Sequence, residues 1–207
     1  MFLSSKSDKN DHSQQPQNRK RGLFRELDVL YIFVAFMLLY VLLFRVVVVT
    51  GDSMNRTLVD GDMLLLVSNT VYRNPRQGDI IVVSKDSFRG GECIVKRVIA
   101  TEGQQIDIDF ENRRVYVDGQ PLEESYVFFA EDDSRPMIQE GLRFPQTVPE
   151  GCVFVMGDNR NDSQDSRSPS IGFVDEREIL GKAIVLFFPG SDHNTAPRDY
   201  TRIGGLG

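Results

Sequence analysis

The sequence has few of the side chains that most often carry acid–base or metal chemistry, with two histidines and two cysteines among 207 residues. His12 lies in a polar stretch near the start of the chain, and His193 lies in a polar stretch near its end. Neither position suits the histidine of a Ser-His-Asp catalytic triad, so such a triad is not expected. Cys93 and Cys152 do not have the spacing of a metal site. They form either one disulfide or, as we favour, two small core residues.

Positive charge is also scarce beyond the first 45 residues. The net charge is -6, and residues 1–45 carry seven Lys and Arg against four Asp and Glu. That surplus of three positive charges leaves nine negative charges on residues 46–207. An acidic body argues against nucleic acid as a partner, because binding phosphates requires a basic surface. The hydrophobic content of 41% is that of a globular protein.

The first 26 residues are predicted to be a disordered basic tail, because their polar composition buries too little apolar surface to fold. An uncharged apolar run follows over residues 29–44, and it would rise about 24 Å as a helix. Leu27 and residues 46–49 lengthen it to the roughly 20 residues that a bilayer needs, provided that Arg45 reaches the headgroups. We therefore predict a transmembrane anchor over residues 27–45.

The residues that precede this anchor give its orientation. Arg19, Lys20, Arg21 and Arg25 place the N-terminus in the cytoplasm by the positive-inside rule. The chain would then cross the cell membrane once, in contact with membrane lipid, with residue 46 onward outside the cytoplasm. A cleaved signal peptide is the alternative. Against it, the run exceeds the usual apolar length of about 7 to 15 residues.

Residues 46–190 are predicted to form a mostly β, antiparallel domain. Short runs of β-branched and aromatic residues alternate with turn signals such as Asp60-Gly61 and Asp118-Gly119. A short helix is considered only for residues 175–180. Residues 120–150 are more polar and contain four prolines, and we interpret them as an excursion from the main sheet. Residues 191–207 are predicted to be a polar C-terminal tail. The predicted strands are residues 63–67, 80–84, 93–100, 106–110, 114–117, 153–156 and 183–188.

One polar stretch directly after the apolar run, Thr-Gly-Asp-Ser-Met-Asn-Arg-Thr-Leu, contains a candidate nucleophile, Ser53. On these residues alone, a turn that merely joins a membrane helix to a domain is an equally good interpretation. A serine hydroxyl is a weak nucleophile until an adjacent base takes its proton. Because the positions of the histidines exclude them, we looked for the base among the lysines.

The predicted domain has three lysines. Lys85 lies in a turn, where its ammonium would stay hydrated and charged, and Lys182 starts the last strand, where we expect it to be exposed. Lys96 shares a strand face with Ile94 and Val98. Burial there would lower its pKa towards that of a general base. The alternative, which the strand pattern alone favours, is an edge lysine whose ammonium reaches water.

The third informative stretch, residues 155–167, changes abruptly from apolar to dense Asp, Asn, Ser and Arg. A calcium loop of the EF-hand type is excluded, because Arg160 takes the third position and the sixth is not glycine. A solvated loop is the other ordinary interpretation. The same residue types also suit a buried hydrogen-bond network, in which a hydroxyl orients a lysine amine and an Asp-Arg pair holds the loop.

Together these stretches resemble bacterial type I signal peptidases (leader peptidases, peptidase family S26), the membrane-anchored Ser-Lys proteases that remove signal peptides from exported proteins. The shared motifs are Gly-Asp-Ser-Met-x-x-Thr-Leu after an anchor, Lys-Arg-Val about forty residues later, and Gly-Asp-Asn-Arg-x-x-Ser-x-Asp-Ser-Arg near the end. The resemblance covers approximately residues 25–190.

The resemblance implies that Ser53 is the nucleophile and Lys96 the general base. Ser163 would orient the Lys96 amine by a hydrogen bond, and the backbone amide of Ser53 would donate to the oxyanion, which is worth about 3 kcal/mol. Gly51 stands where some relatives have a serine as second oxyanion donor, and Arg56 stands where the family usually has proline. Three further residues would brace the loop: Asp158, Asp165 and Arg167.

The same resemblance implies the substrates and the chemistry. The substrates would be preproteins with signal peptides, cut after a small-x-small motif and bound as an extended strand. The reaction would pass through an acyl-enzyme on Ser53, without metal or cofactor. Four residues match positions that line the substrate pockets, and each could equally be ordinary core: Val49, Met54, Leu58 and Val95.

Two other functions are compatible with parts of the sequence. A self-cleaving Ser-Lys protease like the SOS repressors would need an Ala-Gly or Cys-Gly site, and neither dipeptide occurs. A membrane-tethered binding or scaffold domain with a degenerate site is the second alternative. The presence of both catalytic candidates argues against it.

Overall fold

The computed structural model describes residues 17–86, 88, 90–130, 134–191 and 197–206, with side chains from residue 27 onward. The chain divides into two compact units, Met1–Val41 and Leu42–Gly207. Helix α1, Gln17–Leu43, contains the described part of the first unit, and its side chains from Leu27 to Leu42 are exposed. Within the described part of the chain, no helix combines the length and the apolarity needed to cross a membrane.

Both ends of α1 correct the sequence prediction. Residues 1–16 of the predicted disordered tail lie outside the described residues, but the backbone is helical from Gln17. Extending an existing helix adds one hydrogen bond per residue, so polar residues can continue one that apolar residues establish. At the other end, α1 stops at Leu43, and residues 44–48 form a strand instead of lengthening the helix. Their run of valines suits a strand, which pairs antiparallel with the next one.

The second unit contains two antiparallel sheets. The first has the order β1-β2-β11-β3-β4-β9-β10, with β12 also paired to β11, and the second has the order β7-β6-β5-β8. The strands are β1 (Phe44–Val48), β2 (Met63–Ser68), β3 (Ile80–Ser84), β4 (Cys93–Thr101), β5 (Gln105–Asp109), β6 (Arg114–Val117), β7 (Gln120–Pro121), β8 (Gln146–Thr147), β9 (Cys152–Met156), β10 (Val174–Asp175), β11 (Ile179–Phe188) and β12 (Gly204–Gly205). The mostly β antiparallel fold class is confirmed.

Three groups of buried apolar residues, mostly from the strands and their connections, form the hydrophobic core of the second unit. The first group joins the second sheet to β4 and β9, and it includes Ile106 and Phe154. The second lies around Met54 and Leu58, beneath the connection from β1 to β2. The predicted excursion, residues 120–150, begins and ends in the second sheet, because it contains β7 and β8.

Two predictions around β11 are wrong, and the prediction for the cysteines holds for only one of them. In the region of residues 175–180 only a single 3-10 turn forms, Glu176–Glu178, because Asp175 caps it and β11 begins at Ile179. The predicted tail after residue 190 returns to the sheet, where β12 pairs with β11. The two cysteines are free thiols. Cys93 is exposed at the start of β4, so its predicted core position is wrong, whereas Cys152 packs against the first core group.

Candidate active site

Ser53 lies in the turn-rich connection between β1 and β2, with the buried side chains of Met54 and Leu58 beneath it. Gly51 has a φ of 83°, a conformation that glycine adopts without strain, and its amide donates to Asp60 Oδ1 at 2.9 Å. Arg56 stacks over the Phe128 ring at 4.7 Å. The first contact closes the connection on itself, and the second ties it to another segment of the domain.

Lys96 lies within β4 and is only 3% exposed. Its Nζ is 2.6 Å from Ser53 Oγ and donates to the Val95 carbonyl at 3.0 Å. Burial lowers the pKa of Lys96 to about 8, although Asp165 and Asp158 act in the opposite direction. The interpretation that the strand pattern alone favoured, an edge lysine reaching water, is wrong, because Lys96 is buried and its Nζ contacts Ser53 Oγ and the Val95 carbonyl.

The other two lysines are held in ion pairs away from Ser53. Lys85 contacts Glu178 at 3.2 Å, and Lys182 contacts Asp79 at 2.6 Å. The expected exposure of Lys182 at a strand end is wrong, since β11 begins three residues earlier, at Ile179.

The loop that starts at Gly157 packs directly against the serine turn. The Asn159 amide donates to the Ser53 carbonyl at 3.0 Å. Asp158 accepts from Thr57 Oγ1 at 2.5 Å and forms a two-point pair with the Arg97 guanidinium at 2.8 and 2.7 Å. Asp158 therefore joins the serine turn to the strand that carries Lys96.

The contact between these segments is too close for any side chain at position 157. A Cβ on Gly157 would lie 2.2 Å from Ser163 Oγ and 2.4 Å from the Ser53 carbonyl oxygen. This glycine is thus required by the close approach of the loop to Ser53.

Asp165 and Arg167 form a buried pair that closes the loop. Arg167 Nε and Nη2 donate to the two oxygens of Asp165, each at 2.8 Å, and the Gly157 amide donates to Asp165 at 3.0 Å. The guanidinium and these donors hold the pKa of Asp165 below its usual range despite burial. A permanent negative charge therefore lies within electrostatic reach of Lys96.

Ser163 lies beside Gly157, but the predicted hydrogen bond to Lys96 is not formed. Among the described residues, Ser163 Oγ is buried without a hydrogen-bond partner. A buried hydroxyl in that state costs about 1–3 kcal/mol. The hydroxyl is available for a new hydrogen bond at the wall of the site.

A cleft of about 630 Å³ opens beside Ser53 and Lys96, and Ser163 also lines it. One wall is the end of β1 and the other is the start of β4. Three of the four predicted pocket residues line the cleft: Val49, Met54 and Val95. Leu58 does not, because its side chain is fully buried in the second core group.

Sequence reasoning missed several residues that hold the site. Arg97 and Thr57 lie inside motifs that were recognised, so their position could have suggested the contacts with Asp158. Glu124 and Tyr126 had no such signal, since they belong to the excursion. Glu124 pairs with the buried Arg160 guanidinium, and Tyr126 stacks under Arg97 at 3.9 Å.

A serine hydroxyl in contact with a buried lysine of lowered pKa, at the side of a peptide-sized cleft in a β domain, is the arrangement of a serine hydrolase that uses lysine as its base. Comparison with known proteins identifies the group. The family model "Signal peptidase, peptidase S26" matches residues 25–188. The chain therefore belongs to the signal peptidase family, peptidase S26.

Two sequence relatives agree with this assignment. A probable signal peptidase I-1 of Synechocystis is 39% identical over 150 residues, 69% of this chain and 70% of the relative. A signal peptidase I of Bacillus licheniformis is 31% identical over 85% of this chain and 94% of the relative. A crystal structure of a signal peptidase I from Enterococcus faecalis is 34% identical over 53% of this chain and 97% of that chain, with a TM-score of 0.41.

Proposed function

We propose that this chain is a membrane-bound serine endopeptidase that removes N-terminal signal peptides from exported preproteins, with Ser53 as nucleophile and Lys96 as general base. The observation that carries the proposal is the 2.6 Å contact between Ser53 Oγ and the Nζ of a lysine buried to 3% exposure. A neutral amine at this position can accept the hydroxyl proton, which a hydrated ammonium cannot do.

In the proposed reaction, Ser53 Oγ attacks the scissile carbonyl while the neutral Lys96 amine takes its proton. The resulting ammonium then gives a proton to the leaving amine of the mature protein, and the signal peptide stays bound as an ester on Ser53. Water, deprotonated by Lys96, hydrolyses this ester and restores the hydroxyl. The Ser53 backbone amide stabilises the oxyanion in both steps.

The substrate would bind as an extended strand between the two walls of the cleft. β1 is an edge strand of its sheet, and in the described pairings β4 meets β9 only from Arg97 onward. Backbone groups on both walls can therefore pair with a peptide. Val49, Met54 and Val95 would form shallow pockets that admit small side chains next to the scissile bond.

We also propose that helix α1 anchors the enzyme in the membrane with the N-terminus in the cytoplasm. The uncharged run over residues 29–44 and the basic residues before it support this topology. The test is extraction of membranes at alkaline pH. We expect the protein to stay with the membranes, and release into the supernatant would contradict the anchor.

The function is tested with purified protein in detergent and a preprotein that carries a small-x-small motif. We expect one cut after that motif. Ser53→Ala and Lys96→Ala should each abolish it without loss of the native circular dichroism. Lys85→Ala, which removes a lysine outside the site, is the matched control and should cleave normally. Wild-type activity in either active-site variant would contradict the proposal, and binding without cleavage by the wild type would favour a scaffold domain.

A further inference from the structure

Residues 197–206, which we call the strap, fold back onto the part of the chain that carries the nucleophile. They lie beyond the residues that the family model matches, which end at 188. Within the strap, β12 pairs with Val185 and Leu186 of β11, and the Leu206 amide donates to the Ile184 carbonyl at 2.9 Å. The strap is thus held by the sheet at one end.

Its main side-chain contact is between Arg202 and the fully buried Asp62. Arg202 Nη1 and Nη2 donate to the two Asp62 oxygens at 3.0 and 2.6 Å. The amides of Val59 and Gly190 donate to the same carboxylate at 2.8 and 2.7 Å. A buried carboxylate needs this set of donors, and Arg202 supplies half of them and the compensating positive charge.

The same guanidinium reaches the serine turn directly. Arg202 Nη2 also donates to the Thr57 carbonyl at 3.2 Å. The Thr57 hydroxyl in turn donates to Asp158, which contacts the strand of Lys96 through Arg97. Two hydrogen bonds therefore separate Arg202 from the network behind the Ser53–Lys96 pair.

Apolar packing connects the strap to the same turn. Leu206 packs against the core group that contains Met54 and Leu58, the residues that flank the nucleophile turn from below. The chain also approaches closely at Gly190, where a Cβ would lie 2.0 Å from the Asp60 carbonyl oxygen. Gly190 and two residues of the strap, Arg202 and Leu206, therefore pack against the connection after Ser53 at three separate points.

We propose that the strap holds the turn of the active-site serine in place and that Arg202 is a positioning residue for Ser53. This inference rests on the proposed function of Ser53 as nucleophile. Arg202 contacts the turn that carries the serine, but it contacts neither wall of the cleft. Its loss should lower the rate of the chemical step, while substrate binding stays as it is.

The test compares Arg202→Ala and Arg202→Lys with the matched control Arg198→Ala. Arg198 belongs to the same strap and carries the same charge, but it stacks on Phe188 at 4.9 Å, and among the described residues it has no hydrogen bond to the serine turn. For preprotein cleavage we expect Arg202→Ala to lower kcat by about ten- to a hundredfold, since a misplacement of about 1 Å can cost that much. KM should change less than about twofold. Arg202→Lys should recover part of the rate, and Arg198→Ala should match the wild type.

The pH profile separates positioning from a general effect on the base. Arg202 is not among the charged groups that shift the pKa of Lys96. In Arg202→Ala the midpoint of the alkaline rise should therefore be that of the wild type, with a lower plateau. All rates are measured where near-UV circular dichroism shows the native fold. If Arg202→Ala does not fold, Arg202→Gln, which keeps one donor to Asp62, is judged by the same criteria.

Three results would overturn the inference: wild-type kcat in a folded Arg202 variant, an equal loss in Arg198→Ala, or a loss confined to KM. Failure of the proposed function looks different. In that case Ser53→Ala would keep the activity of the wild type, whatever the strap variants do.

Discussion

Burial of Lys96, opposed by the charge of Asp165, should set the pH at which this enzyme becomes active. The Lys96 pKa of about 8 means that Lys96 is a neutral amine in about a tenth of the molecules at pH 7. Under the proposed mechanism, kcat/KM should therefore rise about tenfold from pH 7 to its plateau. With the ordinary lysine pKa of 10.5, only about 0.03% would be neutral. The net lowering of the Lys96 pKa therefore increases the fraction of molecules with a neutral Lys96 amine about 300-fold at pH 7.

Asp165→Asn removes the negative charge that most raises the pKa of Lys96 and leaves the nearby Arg167, which lowers it. Both changes favour the neutral amine. The rise in kcat/KM should therefore move to lower pH. For each pH unit of movement, the rate on the acid side of the rise increases about tenfold relative to the plateau. Stability should fall by about 3–5 kcal/mol, because the buried Arg167 loses its partner.

The chain contains a matched control for this experiment. Asp175 and Arg177 form a pair with the same two-residue spacing, but Arg177 is 90% exposed and neither group acts on Lys96. Asp175→Asn should leave both the pH profile and the unfolding midpoint nearly unchanged. The assay is cleavage of a preprotein from pH 6 to 10, with urea unfolding of the same samples. An Asp165→Asn profile that stays in place, or moves to higher pH, would refute the electrostatic argument.

Four further variants test other parts of the site. Lys96→Met should be inactive but more stable than the wild type below pH 8, by about 3 kcal/mol, because the Lys96 amine binds a proton less readily in the folded protein than in the unfolded chain. This gain in stability should vanish as the pH rises past about 10.5. An equal gain at all pH values in thermal unfolding would contradict the argument. Ser163→Ala should not lose stability, since it removes an unpaired buried hydroxyl, but its pH–rate curve should move to higher pH if that hydroxyl donates to the neutral amine during turnover; an unchanged curve excludes this role. Leu58→Ala should lower the free energy of unfolding in urea by about 2–5 kcal/mol, because Leu58 is a core residue. Altered cleavage specificity at normal stability would instead show that Leu58 belongs to the substrate pocket. Glu124→Ala should lower the free energy of unfolding by about 3–5 kcal/mol in the same measurement, because the buried Arg160 guanidinium loses its charge partner. Normal stability would show that the ion pair makes no net contribution to stability.

Much of the fold was predictable because strands are local patterns. The run at residues 80–84 and the run at residues 114–117 became β3 and β6 with the predicted bounds. The errors lie where tertiary pairing overrides local preference. Valines after residue 45 could extend an apolar helix or form a strand, and the pairing with β2 decided for the strand. The segment after residue 190 looked like a tail because its partners lie far away in the sequence: the contact of Arg202 with Asp62 spans 140 residues.

The sequence by itself determined which residues were available for chemistry: a serine after an apolar run, a lysine in an apolar strand, a polar loop, and no histidine in a usable position. Only the tertiary structure decided how they meet. Sheet order sets β4 between β3 and β9, and the packing of the serine turn against β4 brings Lys96 to a serine 43 residues away. It also left Ser163 unpaired, put Leu58 in the core and tied the strap to the serine turn. The reason is that burial and long-range pairing depend on how strands assemble, which alternation along one strand does not encode.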